Sequence, residues 1–163
     1  MAYIPDLTPC TDFGEGTGHL LAVGWVDRRH PVTRGTVEPA FVARLVELLM
    51  NPWQPPQTLG WHDCTFCRLT RGPGTFEYGG TRVSIGTSNV FVPGRGCLYI
   101  APSPILHFMD SHGYVPPEEF IEAVLDCPPM RSAEYMRELK TVAPPWLVST
   151  PPVRKRRLAG NAR

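Results

Sequence analysis

With 163 residues, the chain has the length of one ordinary domain and can bury roughly 70% of the surface that its unfolded form exposes. Apolar residues make up 42% of it and charged residues 19%, which excludes a mainly disordered chain. Sixteen basic and fifteen acidic side chains leave a formal charge of +1, which excludes a nucleic-acid footprint over the whole surface.

Nineteen prolines and fifteen glycines predict short elements joined by defined turns, because proline fixes φ and removes a donor. The opening residues Met1 to Thr8 have no basic region followed by an apolar run, so no signal peptide is expected. No apolar stretch nears the roughly 18 residues of a membrane helix. The expected location is the cytoplasm, where thiols stay reduced. Five cysteines without regular spacing argue against a disulfide framework and toward metal or free thiols.

Residues 1–18 read as extended or looped. The apolar run 19–26 reads as a buried strand. Pro39 suits a first helical position, and Phe41, Leu45, Leu48 and Leu49 fall on one face of a helix over 38–50. Residues 75–78 and 81–85 flank Gly79-Gly80, a strong hairpin pattern because both turn positions need positive φ. A second hairpin follows, with 89–92 and 97–100 joined by Pro93-Gly94-Arg95-Gly96. A short helix is expected over 104–112, ended by Gly113. Another starts at 116–119 and closes at Pro128-Pro129, and a third spans 132–140. Pro144-Pro145 is expected to end the folded region. The predicted fold is α+β: a small antiparallel sheet of both hairpins, packed against several short helices in a single domain over 1–149. Residues 150–163 are expected to be a flexible basic tail.

One cluster carries pointed chemistry. His62-x-Cys64-x2-Cys67 puts three soft or borderline ligands within six positions, a set that suits zinc. A tetrahedral ion needs a fourth ligand. His107 is the first candidate and His112 the alternative, with Cys97 and Cys10 in reserve. The expected metal site is therefore His62, Cys64, Cys67 and His107, holding zinc. Two plainer readings stand beside it. The cysteines could be small buried apolar residues with His62 at the surface, or a redox pair. The redox pair is disfavoured because Gly72-Pro73-Gly74 leaves little room for the helix such motifs precede. His107 could equally be a hydrogen-bonded core histidine.

Three stretches, MAYIPDLTPC, NPWQP…GWHDCTFC and NVFVPGRGCLYIAPSPILHFMDSHGYVPPEEF, resemble a family of uncharacterised bacterial proteins over about residues 1–140. The resemblance implies a bacterial source and transfers no functional residues.

The function expected from the ligands is a small metal-binding protein with a binding or regulatory role. One alternative is a metal-dependent enzyme with an open zinc site at His62, Cys64 and Cys67 and Asp63 or Asp110 as base. Another is a nucleic-acid-associated protein using Arg154, Lys155, Arg156 and Arg157. No membrane partner is expected.

Overall fold

The computed structural model describes residues 3–13, 19–54, 62–70 and 72–149. The basic run 154–157 lies outside them. The elements in chain order are β1 (Leu20–Ala22), α1 (Pro39–Met50), β2 (Thr75–Tyr78), β3 (Thr81–Ser84), β4 (Asn89–Pro93), β5 (Leu98–Pro102), α2 (Ile105–His112), α3 (Glu118–Asp126), α4 (Ala133–Val142) and α5 (Pro145–Val148). The α+β class expected from the sequence is what is found.

Both hairpins form where the glycines predict them. Gly79 and Gly80 take φ of 56° and 77°, the turn that matches strand twist. The hairpins do not share one sheet, however. β2 and β3 stand as an antiparallel pair, while a second sheet has the order β1-β5-β4. In it β4 and β5 are antiparallel, and β1 runs parallel to β5 with Leu20 opposite Leu98. The outer edge of β4 explains the separation. The Asn89 carbonyl accepts from the Gln54 amide, and the Phe91 carbonyl accepts from the Tyr135 hydroxyl at 2.8 Å. Acceptors that a neighbouring strand would have used are satisfied by side chains instead. The other edge is covered by the N-terminal segment, where Leu7 N–H donates to the Ala22 carbonyl at 2.8 Å and Cys10 N–H to Leu20 at 2.8 Å.

Every residue of β4 and β5 is buried. Such strands read as continuous apolar runs because both faces are covered. α1 packs against α3, β3, β4 and α2, and α3 and α4 pack against β4. Phe41, Leu45, Leu48 and Leu49 are all buried, which matches their spacing. α5 differs from expectation. Pro145 begins a further turn instead of ending the fold, as proline is tolerated where no intrahelical N–H bond is needed, and Leu147 is buried. Among the described residues no helix is long and apolar enough to cross a membrane.

One ionic knot around a buried carboxylate follows β1. The Asp27 side chain is 2% exposed. It accepts from Arg29 N–H (2.9 Å), Arg29 Nε (3.0 Å) and Arg29 Nη2 (2.8 Å), and His30 Nδ1 lies 2.7 Å away. Burial opposes its charge, yet the bonds from Arg29 and His30 prevail and lower its pKa from 3.8 to about 2. A depressed carboxyl stabilises the fold above its unfolded pKa, and that contribution is lost as pH falls through about 2. Asp27→Asn should therefore cost about 2 kcal/mol at pH 7, the scale of a buried charge-assisted network. In chemical denaturation the gap between variant and parent should close as pH is lowered toward 2. A constant gap from neutral to acid pH would contradict this assignment.

Candidate metal centre

Residues 62–70 have no regular secondary structure and are held by neighbours. His62 N–H donates to the Gly86 carbonyl at 2.7 Å, and Thr65 Oγ1 accepts from Arg28 N–H at 3.0 Å. With these ties the chain turns at Cys64–Cys67, and the N–H groups of Phe66 and Cys67 point at the Cys64 sulfur. Such a turn lets two sulfurs separated by two residues face one point.

The opposite wall is α2. Ile105, Leu106, His107, Phe108 and Met109 are all buried, as expected of a helix that is apolar nearly all round. Its last residue is His112, and Gly113 caps it by donating to the Met109 carbonyl at 3.2 Å. Arg34 Nη1 donates to the His112 carbonyl at 2.6 Å. Phe66 stacks on the His112 ring at 5.0 Å and meets Phe108 edge-on at 6.2 Å. The turn and the helix end are thereby pressed together.

At that junction the ligand atoms of Cys64, Cys67, His107 and His112 lie within 4.8 Å of one another. Cys64 Sγ is 3.3 Å from His112 Nε2. Cys67 Sγ is 3.2 Å from His107 Nε2 and 3.5 Å from His112 Nε2. The two Nε2 atoms are 3.2 Å apart. A tetrahedral ion with ordinary zinc–sulfur and zinc–nitrogen bonds sets S···N near ~3.6 Å and N···N near ~3.3 Å. These four spacings fit within a few tenths of an ångström. Hydrogen bonding accounts for them less well. His112 Nε2 has three lone-pair atoms within 3.5 Å, and one imidazole nitrogen can offer one proton at most. A shared cation satisfies all four at once.

The electrostatics prepare the donors. Burial lowers the pKa of His107 and of His112, with His112 adding to the effect at His107 and Arg34 adding to it at His112. Both rings are then neutral at pH 7 and present lone pairs. Burial also pushes the Cys64 thiol up to about 11, Cys67 reinforcing this and the Phe66 and Cys67 N–H groups opposing it. A cation entering the site must displace that proton.

Three expected ligands, Cys64, Cys67 and His107, are thus brought together. His62 lies outside the group, and His112 stands in the place assigned to it. The His62 ring instead meets the Trp25 indole edge-on at 5.4 Å, and burial lowers its pKa. Its nearness to the cysteines in sequence carries no nearness of its ring to the sulfurs, because the turn that aims them begins after it. Cys10 and Cys97 are also outside the group, as are Asp63 and Asp110. The spacing of the two histidines was a usable signal: His107-x4-His112 lies in the H-x3–5-H range that accompanies C-x2-C in structural zinc sites. Gly72 gave none. Its φ is +91°, and a Cβ there would stand 2.9 Å from Cys64 Cβ and 3.7 Å from His107 Cδ2.

Gly72→Ala should consequently push the Cys64 turn off α2. We expect the melting temperature to fall by several degrees, in keeping with about 1–3 kcal/mol for strained backbone, and metal retained after dialysis to drop several-fold. A variant with unchanged melting temperature and metal content would show that the close approach is not needed.

Residues 2–125 match the model of a family described as a domain of unknown function, DUF7919. Comparison with curated proteins and with solved structures finds no match. The matched range runs from the N-terminal segment into α3 and takes in Cys64, Cys67, His107 and His112, so the chain belongs to the DUF7919 family and this cysteine–histidine cluster lies within the family's domain.

Proposed function

We propose that the protein binds one zinc ion through Cys64, Cys67, His107 and His112 in a closed, structural site, and that it serves a binding or regulatory role. The observation that carries this reading is the convergence of two thiols and two imidazoles within 4.8 Å of one another. Two sulfurs with two nitrogens in that arrangement suit zinc above harder cations. Two thiolates and two neutral imidazoles also leave a bound divalent ion with no net charge, so a partly buried site carries none uncompensated. A catalytic zinc keeps a position for water or substrate. Here four side chains converge, enough to fill a tetrahedral shell, which favours a structural ion over the enzyme reading.

The ion would tie the irregular segment 62–70 to α2. Metal binding of this kind contributes folding free energy, on the order of several kcal/mol once ligand deprotonation is counted. On this reading the protein works in a reducing compartment such as the cytoplasm, since an oxidised Cys64–Cys67 pair holds no zinc.

Elemental analysis of protein purified without chelator should find one zinc per chain. Cys64→Ser, Cys67→Ser, His107→Ala and His112→Ala should each lose most of it and melt at lower temperature. His62→Ala and Cys127→Ser should keep it. Zinc added to metal-free protein at pH 7 should release protons, up to about two per ion, and affinity should weaken as pH falls because protons compete for the sulfurs. Metal-free protein that melts at the same temperature as the purified form would sink the proposal.

A further inference from the structure

Two features stand apart from the metal centre. The first is a groove of about 480 Å³ between α3, α4 and the turn joining β4 to β5. Glu119, Glu122 and Asp126 line it from α3 and Glu138 from α4. Positions 119, 122 and 126 share one helix face. None of the four carboxylates has an ion pair among the described residues, and Arg95 is the cation of the lining. Tyr99, Ala123 and Val142 add apolar lining. Burial raises the Tyr99 phenol above its ordinary value, and Cys97, Glu119 and Glu122 push the same way, so the acidic field reaches this lining.

The shape of this field indicates its ligand. The four carboxylates do not converge on one point: among the described residues the converging group of ligand atoms is the cysteine–histidine cluster. Charges spread along a groove with apolar lining suit an extended cationic chain rather than a single ion.

The second feature is the run Arg154-Lys155-Arg156-Arg157, which the sequence alone reads as a solvated tail. Four adjacent cations repel one another and match four carboxylates in number. The last described helix, α5, starts beside this groove. Glu138, Thr141 and Val142 of α4 line it, and a smaller hollow bounded by Gly96, Val142 and Pro145 adjoins it. Five residues lie between Val148 and Arg154, so the connecting chain can span up to about 20 Å.

We propose that the acidic groove between α3 and α4 binds the basic run Arg154–Arg157 of its own chain. The groove is then a site for arginine- and lysine-rich peptide with a ligand built into the same polypeptide, which another basic segment would have to displace. The inference goes beyond the metal reading and does not depend on it.

Zero-length carbodiimide coupling of the full-length protein tests it, because the sequence holds two lysines, Lys140 and Lys155. Mass spectrometry should find Lys155 joined within one chain to Glu119, Glu122, Asp126 or Glu138. The yield should fall at least fivefold between 10 mM and 1 M salt, as the screening length shrinks from about 30 Å to about 3 Å. Glu122→Gln with Glu138→Gln should reduce it likewise while leaving zinc content and melting temperature near those of the parent. Lys155 products spread evenly over Glu47, Glu77 and Asp110, or no Lys155 product at all, would overturn the proposal. Coupling between two chains instead of within one would also overturn it, since the occupant would then be a second copy.

Discussion

Two thiols and two imidazoles gathered within 4.8 Å of one another, four of their pairs at 3.2–3.5 Å, form a contact that few interactions can satisfy. In water each donor would be solvated separately. In the partly buried space between the Cys64–Cys67 turn and α2, each has lost much of that solvent and faces other lone pairs. Protons could bridge some of these contacts but not all. A single divalent ion could bridge every one, and burial biases the histidines toward the neutral form that would bind it. The segment from 62 to 70 has no regular hydrogen-bond ladder of its own, so the account of its position rests on this junction and on the ties to Gly86 and Arg28.

The rest of the molecule keeps the junction in place. α2 carries both histidines, and its apolar surface leaves it no alternative to the core. Its end is held from several sides. Arg34 reaches the His112 carbonyl, Gly35 N–H donates to the Gly113 carbonyl at 2.9 Å, and Tyr114 donates its hydroxyl to Asp6 at 2.8 Å. Asp6 also accepts from Gly24 N–H at 2.8 Å, so the N-terminal segment, the end of β1 and the end of α2 meet at one carboxylate. Burial raises the Asp6 pKa, against the bonds from Gly24 and Tyr114. The ligands are thus positioned by a continuous set of contacts that runs back to the central strands β4 and β5.

Local chemistry was the part of this arrangement that could be read in advance. Gly79-Gly80, Pro39, Gly113 and the paired prolines act within a few residues of themselves, so they mark turns and helix ends whatever the remainder does. The periodic apolar positions of α1 did the same for its buried face. Pairings across long separations were not legible. β1 is three residues long, and nothing in Leu20-Leu21-Ala22 specifies a parallel partner at Leu98. The separation of the two sheets depends on Gln54 and Tyr135, neither of which resembles a strand signal. The candidate site divides in the same way. The cysteine pair is a local motif and His107 followed from it by reach, whereas the inclusion of His112 and the exclusion of His62 from the group depend on where a helix end arrives. The role of Gly72 depends on the same approach.

X-ray absorption at the zinc edge on the purified, full-length protein tests the central claim most directly, because it reports the atoms around the ion without altering any ligand. The account predicts a four-coordinate shell of two sulfurs at about 2.3 Å and two nitrogens at about 2.0–2.1 Å. A shell dominated by oxygen, one with a single sulfur, or one holding a light-atom ligand that exchanges with solvent would contradict a closed site built from Cys64, Cys67, His107 and His112.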